Sequence, residues 1–320
     1  MGRGRVGRIL TQALVRVCTL ILILSMRPAP AQESTFKVDV RLVRLLVTVK
    51  DAAGRLIGSL NRDDFSVSDN GAPQRIAVFE RRTEQPLSIS LLVDTSASTG
   101  IEIKYELDSV NRFLRALFQE GNPEDAVALY SFNWQVNLHS SFTRRLARLE
   151  QGLRQLKSEG GTSLYDALYL ASRDLEGREG RHVLVVVTDG GDTTSSKKFH
   201  EALEAAQLSD AVLYPIVVVP ITNNAGRNIG GEHALTTLAA GTGGRIFMPS
   251  PGPELDTAFA DIIRELRTQY LVGFYPANVP LSKDRFHTLQ VSLKQPNLRV
   301  LTRNGYYGEV EDATGRRGGR

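Results

Sequence analysis

Two runs of strand-forming residues, LSISLLV at 87–93 and HVLVVVT at 182–188, constrain what this chain can fold into more than any other feature. The second is apolar at five successive positions and the first at three, so neither reads as a strand with one face in water. Strands covered on both faces belong to parallel sheets held between helices. The sequence around them agrees. Strands are expected at 87–93, 126–132, 182–188, 211–219 and 245–248, and helices at 102–118, 143–157, 163–176, 197–208, 232–240 and 253–269. SSFT at 140–143 lets a short antiparallel edge strand after Trp134 lead into the second helix. Strand and helix in alternation predict an α/β fold with a doubly wound, mostly parallel sheet.

Both runs end at an aspartate. Asp94 opens the turn DTSAS, which sets a carboxylate and the hydroxyls of Ser96 and Ser98 at alternate positions, and Asp189 closes the second run. A third segment, GGTS at 160–163, brings Thr162 to the start of a helical pattern. In an open parallel sheet the C-terminal strand ends share one edge, so these segments are expected to converge there, with both carboxylates on a solvated rim. Carboxylate and hydroxyl oxygens are the donors a hard cation such as Mg²⁺ takes. Singly, each segment is equally a plain turn, because Asp and Ser favour turns and helix N-caps for local reasons. The three in order, two of them at the ends of apolar strands, point to a metal site.

On these residues the chain resembles a von Willebrand factor type A domain with an intact metal-ion-dependent adhesion site, and is similar to the secreted bacterial VWFA-related proteins. The resemblance implies that Ser96 and Ser98 coordinate the ion directly. Thr162 does so directly or through water, and Asp94 and Asp189 hold it through water. One position is then left for an Asp or Glu carboxylate of a protein partner. The ion implied is Mg²⁺, with Mn²⁺ or Ca²⁺ as other occupants.

Both ends of the chain read as β. FKVDVRL at 36–42 alternates, and LLVTV at 45–49 continues on the other parity, which calls for a bulge or break near Val43 and Arg44. FSVSDNGAPQRIAVF at 65–79 reads as a hairpin around Asn70-Gly71, a type I′ signal. Residues 269–276, 286–294 and 298–307 alternate or carry β-branched and aromatic residues. Neither end is large enough to be stable alone. The expected organisation is therefore one small β-sandwich built from 36–82 plus 269–307, with residues 86–268 inserted as the von Willebrand-like module and 308–320 as a tail. The resemblance to the bacterial relatives extends to these ends through residues 64–71, DFSVSDNG, and 303–307, RNGYY.

Residues 1–31 have the layout of a cleaved secretory signal: basic MGRGRVGR, an apolar stretch from Ile9 to Met26, and Ala29-Pro30-Ala31 before Gln32. Arg16 leaves that stretch short of the ~20 apolar residues a membrane span needs. The expected location is secreted or periplasmic, with no transmembrane segment after cleavage. Of the 39 basic residues, Arg3, Arg5, Arg8, Arg16 and Arg27 precede the first acid, Glu33, so the mature chain has 34 basic against 35 acidic residues. Such a balance argues against a nucleic-acid partner. The only cysteine, Cys18, lies inside the signal, and a chain of this size buries enough core without disulfides.

No enzymatic constellation competes well. Asp94 at a strand end resembles the nucleophile of a haloacid-dehalogenase-like phosphatase, but Ser96 stands where the D-x-D acid would be. The five histidines show no close metal spacing, and neither a G-x-S-x-G elbow nor a G-x-x-x-x-G-K-[ST] loop is present. Asp192 reads as a turn residue beside the metal edge. Trp134 and the pair Phe274-Tyr275 are core aromatics or, less commonly, a peptide or sugar contact. The function expected is an exported, non-enzymatic protein-binding module, with a metal-dependent hydrolase or a metal-stapled envelope scaffold as alternatives.

Overall fold

A computed structural model describes residues 42–81, 84–97, 103–218, 228–280 and 285–308. The signal segment, the strand expected at 36–41, Ser98 and the tail from 309 onward lie outside the described residues.

The middle of the chain forms a five-stranded sheet. Its strands are β5 (Leu87–Asp94), β6 (Ala126–Phe132), β7 (Val136–Thr143), β8 (Arg181–Thr188) and β9 (Val212–Val217), in the order β7-β6-β5-β8-β9. β5 pairs in parallel with both β6 and β8, and β8 with β9, while β7 is an antiparallel edge. Every residue of β5, β6, β8 and β9 is buried, as the continuous apolar runs require. Helices α1 (Ile103–Glu120), α2 (Leu146–Leu153), α3 (Leu164–Leu175), α4 (Phe199–Leu208), α5 (Ile229–Thr242) and α6 (Pro253–Thr268) cover its two faces. One face packs Leu91, Val185 and Ile216 against α1, α2 and α6; the other packs Leu92, Val186 and Leu213 against α3, α4 and α5.

Two elements differ from expectation. SSFT belongs to β7, which runs to Thr143 and pairs Val127 with Thr143, so α2 begins only at Leu146 and is shorter than 143–157. Pairing along an open sheet edge outweighs the weak helical signal of Thr143 and the two residues after it. The strand expected at 245–248 is reduced to a single parallel bridge between Ile216 and Phe247.

The chain ends supply two four-stranded antiparallel sheets. One has the order β12 (Arg299–Leu301), β1 (Val43–Lys50), β10 (Tyr270–Phe274), β4 (Ile76–Arg81), and the other β13 (Gly305–Tyr307), β11 (Phe286–Leu293), β2 (Phe65–Asp69), β3 (Ala72–Gln74). The pairs β1–β10, β10–β4 and β2–β11 each join an N-terminal to a C-terminal strand. Leu45, Val47, Tyr270 and Phe274 of one sheet share a core with Phe65, Val67 and Leu289 of the other. β1 begins at Val43 and pairs with β10 without a register shift; Val43, Leu45, Val47 and Val49 face the core, Thr48 is buried as well, and the parity change from 36–41 lies outside the described residues. The β2–β3 turn has Asn70 at φ 46° and Gly71 at φ 81°, the left-handed pair that type I′ needs. Among the described residues, no helix is long and apolar enough to cross a membrane.

Candidate metal centre

The C-terminal edge of the parallel sheet is built from three loops tied by main-chain hydrogen bonds. β5 ends at Asp94, and the next residues stay at the sheet because the Thr95 amide donates to the Phe132 carbonyl at 2.8 Å. The Ser96 amide turns back to Asp94 Oδ1 at 2.8 Å, the local bond that makes Asp a turn former. The second loop lies against this one, with Glu159 N donating to Thr95 O at 2.8 Å and Ala97 N to Gly160 O at 3.2 Å. Gly160 has φ +65°, and a Cβ there would stand 2.3 Å from Cδ1 of Trp134. Gly161 is equally confined, since a Cβ would meet Thr194 Cγ2 at 2.6 Å. Both glycines are required by space, one of them by backbone conformation too.

The third loop follows β8. Thr193 N and Thr194 N donate to Thr162 O at 2.8 and 3.1 Å, and Thr162 N returns a bond to Thr193 Oγ1 at 2.8 Å. Thr188, the last residue of β8, donates its hydroxyl to Asp94 Oδ2 at 2.6 Å. Asp192 turns away from this cluster toward the start of α3, where Oδ1 accepts the Ser195 hydroxyl and the Tyr165 amide.

Asp94 is 0% exposed, so the expectation of two carboxylates on a solvated rim is corrected for this one. The β5–β6 and β5–β8 registers draw the last residue of the central strand below the loops that flank it. Ser96 and Thr162 are also buried, and Asp189 is half-buried. Burial pushes the Asp94 carboxyl up to about 6 against the hydrogen bonds from Thr188 and Ser96, and the charge of Asp189 adds to the rise. Two carboxylates close enough to repel in a dry site fit a cation, since a divalent ion between them reverses that penalty. The donor set is all oxygen and suits Mg²⁺, Mn²⁺ or Ca²⁺ better than softer metals. Among the described residues no three His, Cys, Asp or Glu side chains gather as a metal-binding group, so any ion here would depend on hydroxyls as well as carboxylates.

The sequence model of the von Willebrand factor type A domain matches residues 89–191, the stretch that runs from β5 through Asp189. Residues 89–191 are thus a von Willebrand factor type A domain by sequence. Solved structures similar to the chain include the following three. The PilB minor pilin from Streptococcus sanguinis is 14% identical, with a TM-score of 0.46 over 58% of this chain and 62% of that one. The vWF domain of the type V pili tip protein Mfa5 from Porphyromonas gingivalis is 15% identical, TM-score 0.46, covering 56% of this chain and 94% of that one. The conserved hypothetical protein BatB from Bacteroides thetaiotaomicron is 18% identical, TM-score 0.44, covering 56% and 98%. This chain therefore spans less than two thirds of the PilB length. No curated protein matches it by sequence.

Several residues of the von Willebrand edge escaped the sequence reading. Thr188 is one; its position directly before Asp189, at the end of a parallel strand next to β5, is the signal that could have placed it. Thr193 and Thr194 gave no signal beyond loop composition. Trp134 is 54% exposed and leans on Gly160, beside the metal edge, whereas Phe274 is buried in the β-sandwich and Tyr275 is exposed.

Proposed function

We propose that the chain is an exported protein-binding module whose von Willebrand domain captures an acidic side chain of a partner at this edge. Asp94, Ser96, Ser98, Thr162 and Asp189 would hold Mg²⁺, with Mn²⁺ or Ca²⁺ as other occupants. A bound ion supplies an open coordination position to an Asp or Glu carboxylate. The observation that carries the reading is Asp94: a fully buried carboxylate, pinned by Thr188 and Ser96 and within reach of the charge of Asp189. Pinning both oxygens fixes its direction before any ligand arrives, and prior ordering favours binding.

A metal-dependent hydrolase would need a base at the same edge. Three of the histidines are engaged elsewhere: His139 with Ser131, His182 with the carbonyls of Ser209 and Arg178, and His287 with Asp69. A stapled scaffold would use the ion for folding alone.

Calorimetry with Mg²⁺ on wild type and Asp189→Ala, with circular dichroism as the folding control, separates these readings. It is paired with capture from the native envelope fraction with and without EDTA. Adhesion predicts a folded variant that neither binds Mg²⁺ nor captures a partner. Capture by wild type that persists undiminished in EDTA, or capture by the folded variant in Mg²⁺ equal to that of wild type, would overturn it, and an unfolded variant would favour the scaffold.

A further inference from the structure

Lys50 ends β1, and the turn after it folds back on the strand: Gly54 N donates to Asp51 O at 3.0 Å, Leu56 bridges to Lys50, and Ile57 N donates to Val49 O at 2.9 Å. Between this turn and the last two turns of α6 lies an open cleft of about 510 Å³. That is the size of a site for a small organic molecule, well beyond a single ion. It lies at the other end of the parallel sheet from the metal edge. Leu266, next to Glu265, accepts a hydrogen bond from Arg181, the first residue of β8, whereas Asp189 follows the last, roughly 25 Å away along the strand.

Four cations and two acids line the cleft, and three of the cations are strung through the two acids. Lys50 Nζ and Arg245 Nε both donate to one oxygen, Oε1 of Glu265, at 2.5 and 2.6 Å, so the ammonium and the guanidinium converge on one point. Arg245 Nη2 lies 3.6 Å from Asp261 Oδ2, and Arg264 Nη1 donates to Asp261 Oδ1 at 2.9 Å. The Arg245 guanidinium is also held over the Phe247 ring, 3.7 Å from its centroid. The fourth cation, Arg55, donates to Asp51 across the turn at 2.7 Å.

These pairs tie β1 to α6, but they do not use up the positive charge. With Asp51 counted, four cations stand against three carboxylates, and the acids are the more covered. The side chains of Glu265 and Asp51 are 3% and 13% exposed, against 65% for Arg264 and 80% for Arg55. The face offered to solvent is therefore positive. Each cation keeps donors beyond those its acid takes, since an ammonium carries three N–H bonds and a guanidinium five. Across the cleft the turn is narrow: a Cβ built on Gly54 would meet nothing within 4 Å. Leu56 is the only large apolar side chain in the lining, so the walls suit a hydrophilic body.

We propose that this cleft binds a small hydrophilic phosphate ester, of the sugar phosphate kind, whose terminal oxygens accept from Lys50, Arg245 and Arg264 while Arg55 meets it from the turn. Three terminal oxygens match three cationic groups held in a row, where a carboxylate offers two. The site goes beyond the metal reading and does not depend on it.

Calorimetry on the mature chain with glucose 6-phosphate as the probe tests this, with glucose and glucuronate as controls. EDTA in every sample keeps a phosphate bound through a cation at the metal edge out of the signal. Saturable binding of glucose 6-phosphate is expected, with none of glucose and weaker binding of glucuronate. Arg264→Gln and Arg55→Gln, both on exposed side chains, should each weaken it roughly tenfold. Asp261→Asn keeps an oxygen for Arg264 and removes a competing charge, so it should tighten binding several-fold; ion pairs that only tie β1 to α6 would give no such gain. Circular dichroism checks the fold of each variant. No binding of glucose 6-phosphate, equal binding of glucuronate, or an affinity unchanged in both Arg264→Gln and Asp261→Asn would each overturn the proposal.

Discussion

The hydroxyl of Thr188 donates to Oδ2 of Asp94 at 2.6 Å, joining the last residues of the two neighbouring apolar strands β8 and β5. Both residues are fully buried, so the bond forms away from water. It also leaves the Asp94 carboxylate in one orientation, with Oδ1 on the Ser96 amide. The strand ends are thereby tied to the geometry of the candidate metal site.

Thr188→Val keeps the shape of the side chain and removes the donor. It should destabilise the protein by about 1–3 kcal/mol, the cost of a buried charged acceptor losing a partner. It should also weaken Mg²⁺ binding, because Asp94 would no longer be held. Thr188→Ser should restore most of both. Denaturant unfolding and calorimetry measure the two effects, and normal Mg²⁺ affinity in folded Thr188→Val would separate the bond from the site.

Gly160→Ala should cost about 1–2 kcal/mol from the left-handed backbone alone, plus the clash with Trp134. Trp134 is the only tryptophan in the chain. Its fluorescence should therefore change in the variant. In wild type it should respond to added Mg²⁺, because the Gly160 carbonyl that Trp134 leans beside accepts from Ala97 in the Asp94 turn. A spectrum indifferent to saturating Mg²⁺ would mean the second loop does not take part.

In the β-sandwich, Asp69 is 0% exposed and accepts from Tyr306 Oη at 2.7 Å, with His287 Nδ1 at 3.0 Å. Tyr306→Phe should destabilise by about 1–2 kcal/mol, and Asp69→Ala by more, since it strands two partners at once. Unfolding curves for the two variants and the double variant give the coupling, which should exceed about 0.5 kcal/mol for groups in contact.

Tyr130, Tyr214 and Tyr306 all have phenol pKa values raised above the ordinary value of 10, chiefly by burial. Asp174 and Asp69 reinforce the rise for Tyr130 and Tyr306 through hydrogen bonds, and the charge of Glu265 does so for Tyr214. A raised folded-state pKa favours the protonated form, so this stability is fully present below about pH 10 and is lost as pH climbs above it. Absorbance titration should show these three phenols ionising only as the fold is lost. Reversible ionisation of every tyrosine near pH 10 in the folded protein would contradict the burial argument.

The continuous apolar runs of β5 and β8 made the parallel sheet legible, because covered strands need no polar face, and the Asn70-Gly71 turn was legible because few residue pairs accept two positive φ angles. The turn at Asp94 was readable for a similar reason, as its bond to the Ser96 amide spans two residues. Helix and strand limits at 143–146 were not, since local propensity there is weak and the partner strand β6 decided it.

What sequence determined by itself is thus the set of features whose causes lie within a few residues: periodicity, turns, and the order of strands and helices. Tertiary structure decided how deeply Asp94 is buried, that Thr188 faces it from 94 positions away, and that Arg303 meets Asp210 and Asp69 meets Tyr306 across the folded chain. Polar pairing at such separations depends on strand register and on how the sheets dock. Neither is encoded in the spacing of residue types, because a one-residue slip would leave the pattern similar and every partner different.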